Sequence, residues 1–169
     1  MTETVAYEDA VDLLDADHKA VKKLFITFNA LCEDNAPAEQ KQLMAQRICQ
    51  ALTVHAQIEE EIFYPQVRAA IGDDALMDDA LEEHSEAKQM IAKIQAMEAS
   101  DEGYDDAVKA LGTLIDQHVL EERGQIFLQA QNAPLDLRGM VPALAARKKQ
   151  LQQSAAKPAT SPRKKRAEA

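Results

Sequence analysis

Four stretches of this chain repeat apolar residues every three or four positions for more than twenty residues each, with only short polar breaks between them. That spacing places one apolar stripe along each of four long helices and leaves little chain for anything else. The first runs from about Tyr7 to Leu31, with Val11, Leu14, Val21, Phe25 and Phe28 on the stripe. The second runs from about Ala38 to Ala70, with Met44, Ile48, Leu52, Ile58 and Ile62. The third runs from about Asp74 to Ala99, with Ala80, Ala87, Ile91 and Ile94. The fourth runs from about Tyr104 to Gln129, with Val108, Leu111, Ile115, Val119 and Ile126. The breaks carry turn chemistry: Glu33–Pro37, then Ile71-Gly72-Asp73, then Ser100–Gly103. Gly72 is a natural helix terminator, and Asp73 or Asp74 a natural N-cap. Loops this short make successive helices antiparallel, which predicts an all-α, up-down-up-down four-helix bundle. Pro65, inside the second stretch, is expected to kink it or end it early. The chain holds only five glycines and six prolines, in keeping with an all-helical reading.

The bundle is expected to occupy residues 1–133. Asn132-Ala133-Pro134 closes it, a short C-terminal helix follows around Gly139–Gln153 within residues 134–153, and residues 154–169, rich in Ala, Pro, Ser and Lys/Arg, read as a disordered basic tail. Charge follows the same division. The net charge is −10, yet the segment from Arg147 onward carries eight basic residues against Glu168, which leaves −17 on residues 1–146. Such an acidic body repels phosphate and argues against nucleic acid as a partner, except through the basic tail. A protein partner is not specified by the sequence. No apolar run reaches the roughly 18 residues needed to cross a bilayer. The first fifteen residues lack the basic start and apolar run of a secretion signal. Cys32 and Cys49 form no CxxC pair and read as free thiols in helices. Together these features predict a cytoplasmic protein with no membrane partner.

The chemistry concentrates in four histidines. His18, His55, His84 and His118 fall one in each helical stretch, each on that stretch's apolar stripe. A single histidine on such a stripe is usually a satisfied core residue. If roughly 40% of helix positions face the core, four in four by chance is on the order of 3%. Buried imidazoles need polar partners, and four of them facing one another would lack them; a metal solves that problem. The acids strengthen the case. His55-Ala-Gln-Ile-Glu59 and His118-Val-Leu-Glu-Glu122 are both HxxxE, which puts each Glu one turn from its His on the same face. A carboxylate in a bundle core is costly unless paired or ligating, and its two oxygens can bridge two cations. Mixed imidazole and carboxylate ligation suits iron, manganese or zinc rather than calcium or magnesium. Glu60 and Glu121 are expected to point away from this face, with Glu60 a minor candidate for an extra ligand. Tyr64 and Tyr104 are expected to lie well away from the ligand level and read as structural, and Lys88 as a solvent-reaching side chain or the partner of a core acid.

The ordered set Asp17-His18, His55-x3-Glu59 with Glu61-Ile-Phe-Tyr-Pro65, Glu83-His84, and His118-x3-Glu122 resembles the haemerythrin-like, or HHE cation-binding, family over roughly residues 8–130. The resemblance implies a non-haem di-iron centre. His18, His55, His84 and His118 would be terminal ligands of two irons, with Glu59, Glu122 and an oxygen atom bridging them. It differs from ferritin-like bundles, where Glu precedes His by three. The oxygen-carrying members have a second histidine four residues from the one in the third helix; here Ala80 and Lys88 stand at those positions. One iron therefore lacks a protein ligand, and its position is open or filled by water, an acid or a tyrosine. An open position favours reactivity over storage. The expected function is binding or reaction with a small oxidant (dioxygen, peroxide or nitric oxide), with oxidative stress as its setting. The alternative is an iron-handling or sensing module without turnover.

Overall fold

A computed structural model describes residues 6–156. Every regular element in them is helical. α1 (Ala10–Glu33) begins at Asp9, whose side chain accepts the Asp12 amide at 2.9 Å and satisfies one of the free N–H groups of the first turn. α2 (Ala38–Ile58) continues through a π-helical turn at Glu59–Phe63 into α3 (Tyr64–Ile71). Gly72, at φ 68°, terminates α3 in the left-handed region open to glycine, and the Asp73 side chain caps α4 (Asp74–Gln95) by accepting from the Leu76 amide at 3.2 Å. α5 (Tyr104–Glu121) runs through a second π-helical turn, Glu122–Ile126, into α6 (Phe127–Asn132). α7 (Val141–Ala156) follows after a short link. The four long rods form the bundle, and α7 packs outside it against α2, α1 and the first π turn.

Two features depart from the expected rods. Pro65 does not end the second rod, which stays helical to Ile71. The π turn ahead of it switches the hydrogen-bond register, with the Tyr64 amide bonding to the Glu59 carbonyl five residues back, and Pro65 then falls in the first turn of α3, where a missing N–H costs little. α7 runs to Ala156, three residues past the expected end, because Ser154, Ala155 and Ala156 tolerate a helix and Pro158 is the first residue that opposes one. Residues 157–169, most of the expected tail, lie outside the described residues.

The antiparallel arrangement sorts the apolar residues into two clusters. One end of the bundle holds Leu13, Leu14, Ile58, Phe63, Val67, Met77, Ile126 and Phe127, joined by Leu137, Met140 and Leu144 from the C-terminal segment. The other holds Val21, Phe25, Phe28, Ile48, Leu52, Ile91, Ile94, Tyr104 and Leu111. Tyr104 belongs to this core, as its position on the stripe suggests. Gly112 lets α5 lie against the Phe25 ring; a Cβ there would sit 3.1 Å from it. Between the two clusters lies a single polar layer. The apolar ends close it off from water on both sides, which makes every charge in it expensive unless matched.

Candidate metal centre

The polar layer consists of Asp17, His18, His55, Glu59, His84, His118 and Glu122, all less than a tenth exposed, with Glu59 at 0% and Glu122 at 1%. Each helical rod contributes one histidine at the same level. The structure brings all six sequence-predicted residues together in two overlapping groups. His18, His55, Glu59 and Glu122 form one; Glu59, His84, His118 and Glu122 form the other. Within each, one donor atom per residue lies within 4.8 Å of the rest. The two glutamates are common to both groups and stand between the histidine pairs.

The outward-facing ring nitrogens are all occupied. His18 Nδ1 lies 3.3 Å from Asp15, His55 Nδ1 2.9 Å from Asp17, His84 Nδ1 2.8 Å from Glu60, and His118 Nδ1 2.6 Å from Glu83. A carboxylate at Nδ1 holds a proton there and fixes the ring's orientation, so Nε2 presents its lone pair inward. The inward atoms are unmatched. Nε2 of His18 and of His55, both oxygens of Glu59 and Oε1 of Glu122 are buried with no hydrogen-bond partner. His18 Nε2 stands 3.0 Å from Glu122 Oε1 and His55 Nε2 3.3 Å from Glu59 Oε1, close enough for charge attraction but not aligned as donor and acceptor. Nε2 of His84 and of His118 face each other at 3.3 Å. Buried lone pairs converging on one another in this way are what a cation-binding site leaves when read without its cations.

Without a metal, protons do part of this work. Burial opposes charge on His55, but the charge of Glu59 and the hydrogen bond its Nδ1 donates to Asp17 outweigh it and hold the imidazole well above its ordinary pKa. Burial likewise opposes charge on His84, but the Glu59 carboxylate 3.2 Å from Nε2 and the Glu60 carboxylate at Nδ1 raise it to about 9. Glu59 is correspondingly held far below the usual carboxylate range, against its own burial, by the charge of His55 first and then by the His84 ring; the two Nε2 atoms stand 3.3 and 3.2 Å from its Oε1. His118 goes the other way, pushed down by burial.

Four residues take roles around this layer that the sequence reading did not assign to them. Tyr64 does not lie away from the ligand level. Its hydroxyl donates to Glu122 in a very short hydrogen bond and stands 3.2 Å from His84 Nε2 and 3.5 Å from His118 Nε2, while its ring stacks on His84. Burial and then the charges of Glu122 and Glu59 push its phenol well above the ordinary tyrosine pKa, so it keeps its proton. Glu60 is not a ligand candidate but the acid that orients His84, its other oxygen accepting from Lys88 at 2.8 Å. Asp17 and Glu83 each precede a histidine in sequence yet orient the one on the next rod, His55 and His118 respectively.

These contacts repeat. Asp17-His18, His55-x3-Glu59 and Tyr64 on the first two rods match Glu83-His84, His118-x3-Glu122 and Phe127 on the last two. Both π turns begin at the shared glutamate, and the aromatic ring five residues later stacks on a histidine of the neighbouring rod: Tyr64 on His84 at 5.2 Å, Phe127 on His18 at 5.7 Å. At these paired aromatic positions the two halves of the site differ by one hydroxyl. A comparison of the HxxxE segments extended by five residues would have found both aromatic positions in the sequence.

Beside the layer lies a mostly apolar cavity of about 30 Å3, lined by the four histidines with Val21, Leu52, Ala87, Ile91 and Ile115 among others. It is room for about one small molecule, since a single water needs roughly 10–15 Å3 on the same scale.

With this geometry in view, comparison with known proteins gives one consistent answer. The sequence profile of the haemerythrin HHE cation binding domain matches residues 9–130, and the chain belongs to that family. The chain is 31% identical over 121 residues to a protein of Nostoc sp. (strain PCC 7120) named a DNA nickase, covering 72% of this chain and 33% of that protein; it thus spans about a third of that relative's length. Among solved structures, a haemerythrin HHE cation binding domain-containing protein from Mycobacterium kansasii shares the fold with a TM-score of 0.70 and 22% identity, over 87% of this chain and 89% of that one. No helix among the described residues is long and apolar enough to cross a membrane.

Proposed function

We propose that this protein is a non-haem di-iron protein that binds or reduces a small oxidant such as dioxygen, peroxide or nitric oxide. The observation that carries the reading is the set of inward, unmatched Nε2 and carboxylate atoms, each imidazole steadied from behind by its own acid. His18 and His55 would hold one iron, His84 and His118 the other, and Glu59 and Glu122 would be shared between them. When bound, iron would supply one-electron redox chemistry and Lewis acidity. The chain supplies the rest. The apolar ends exclude water, the small cavity admits a molecule of two or three heavy atoms and rejects organic substrates, and Tyr64 holds a proton at its hydroxyl facing the site.

The relative named a nickase is far longer, and only a third of it is matched. The strongly acidic body of the present chain favours a small-molecule role over one on DNA. A sensing or iron-handling role without turnover is the second reading, favoured by the direct link between α7 and the metal layer described below. Peroxide separates the two. With a reductant supplied and residual peroxide followed, a catalyst consumes many equivalents per iron pair, a sensor about one, and a protein inert to peroxide, dioxygen and nitric oxide alike would sink the proposal.

The Tyr64 hydroxyl, which has no counterpart at Phe127, gives a sharper test. Tyr64→Phe is expected to fold and load metal, to change the visible spectrum, and to slow peroxide consumption by about 100-fold, the usual loss when a positioned proton donor is removed. An unchanged spectrum and rate would reduce Tyr64 to packing. The pH dependence of the metal-free protein is also fixed in sign. A histidine whose pKa is raised on folding contributes stability fully below its unfolded value and loses it as the pH climbs through the folded one. For His84 that interval lies between the ordinary 6.5 and about 9. Metal-free protein is therefore expected to melt at falling temperature across this range. Metal affinity should rise over the same range, because fewer protons remain to be displaced. Melting curves and competition titrations at stepped pH check both.

A further inference from the structure

α7 lies outside the four-helix bundle, yet Lys148 reaches the metal layer and Arg147 beside it reaches the π turn that carries Glu59. Lys148 Nζ donates to Asp17 Oδ1 at 2.5 Å, and the other oxygen of the same carboxylate holds His55 Nδ1 at 2.9 Å. Arg147 pairs with both oxygens of Glu61, at 2.7 and 3.1 Å, and Glu61 sits in the π turn that opens with Glu59. The apolar side of α7 is anchored independently: Leu144 is fully buried, packed with Met140 and Leu137 into the cluster at one end of the bundle. The two charged contacts are therefore not needed simply to hold the helix. Lys148 is only partly exposed, and it lines the groove between α1, α2 and α7 beside Asp17 and His55. On the opposite half of the site, Glu60 divides its oxygens in the same way between His84 and Lys88. There the lysine comes from α4, within the bundle itself. Only at His55 does the cation behind the carboxylate arrive from an added element.

We propose that Lys148 is a positioning residue for His55, acting through Asp17, and that docking of α7 and retention of metal at the His18–His55 half of the site support each other. The inference rests on the metal reading above. Lys148 fixes which way the Asp17 carboxylate lies, and the carboxylate fixes the ring. With Lys148 gone, Asp17 is left half-matched beneath a loosened helix, water enters the groove, and His55 presents Nε2 over a wider range of angles. Partners of this kind behind a ligand histidine are worth about 10- to 100-fold in metal affinity. Coupling is reciprocal, so whatever docked α7 adds to metal retention, bound metal adds to the docking of α7.

The test uses iron-loaded full-length protein challenged with a ferrous chelator, with iron release followed by absorbance. Lys148→Met, which keeps the aliphatic stem, is expected to release iron at least about 10-fold faster than wild type, with Lys148→Arg restoring slow release. Hydrogen exchange on the unaltered protein gives a second readout that no variant's folding can obscure. Amides of residues 143–150 should exchange several-fold more slowly with iron than without, while those of the α1–α2 turn at residues 34–37 should not respond. Wild-type release from Lys148→Met, or exchange in α7 indifferent to iron, overturns the coupling and leaves the metal site standing. A wild-type protein that takes up no iron overturns the metal reading and this inference with it.

Discussion

Stripping the metal from the loaded protein is expected to lower its thermal midpoint by about 10 °C or more. A ligand present at about 1,000 times its dissociation constant stabilises the folded state by about 4 kcal/mol. Each kcal/mol moves the midpoint of a chain of this size by roughly 2–4 °C. The effect is large because of where the ligands sit. Glu59 and Glu122 are essentially unexposed, five of the layer's inward polar atoms lack a hydrogen-bond partner, and apolar clusters close both ends. The metal-free bundle is nevertheless expected to remain folded near neutral pH. Protons on His55 and His84 neutralise Glu59 there, and both apolar clusters are intact without metal. Circular dichroism melts of loaded and chelator-treated protein measure the difference. Coincident melts would mean that the layer does not bind metal tightly.

The second large effect is expected at the shared glutamates. Glu59→Gln keeps the shape of the side chain but removes its charge and one of its two ligand oxygens. Both metals should be lost together, because Glu59 belongs to both ligand groups. His18→Ala removes a ligand from one group only and should leave about one metal per chain, held by His84, His118 and the two glutamates in an ordinary four-ligand set. Metal analysis of the two variants beside wild type distinguishes a shared carboxylate from a merely neighbouring one. Equal partial loss in both variants would contradict the bridging arrangement.

The rods, their order and the level of the four histidines were legible in the sequence because apolar periodicity and HxxxE spacing follow from the ordinary 3.6-residue turn. What that turn hides is what departs from it. At 100° per residue, Tyr64 would lie about 140° around the helix from Glu59, and on that arithmetic it falls outside the site. The π turn at Glu59–Phe63 widens the helix by one residue, returns Tyr64 to the Glu59 face, and absorbs Pro65 as well. Such turns have no simple sequence mark, and they concentrate at functional sites. The acids behind the histidines were obscured differently. Asp17 and Glu83 adjoin one histidine in sequence but serve another across the bundle, and Glu60 serves His84 from the neighbouring rod. Only packing brings those pairs together, in a chain so rich in acids that no single one stands out. The reach of α7 back to Asp17, across 131 positions, was invisible for the same reason.

The account stands or falls on metal content. Purified protein should contain about two irons per chain, one for each of the overlapping ligand groups, and should be coloured, with visible absorption that bleaches on reduction by dithionite. A protein without iron, or a colourless one holding zinc alone, would contradict it.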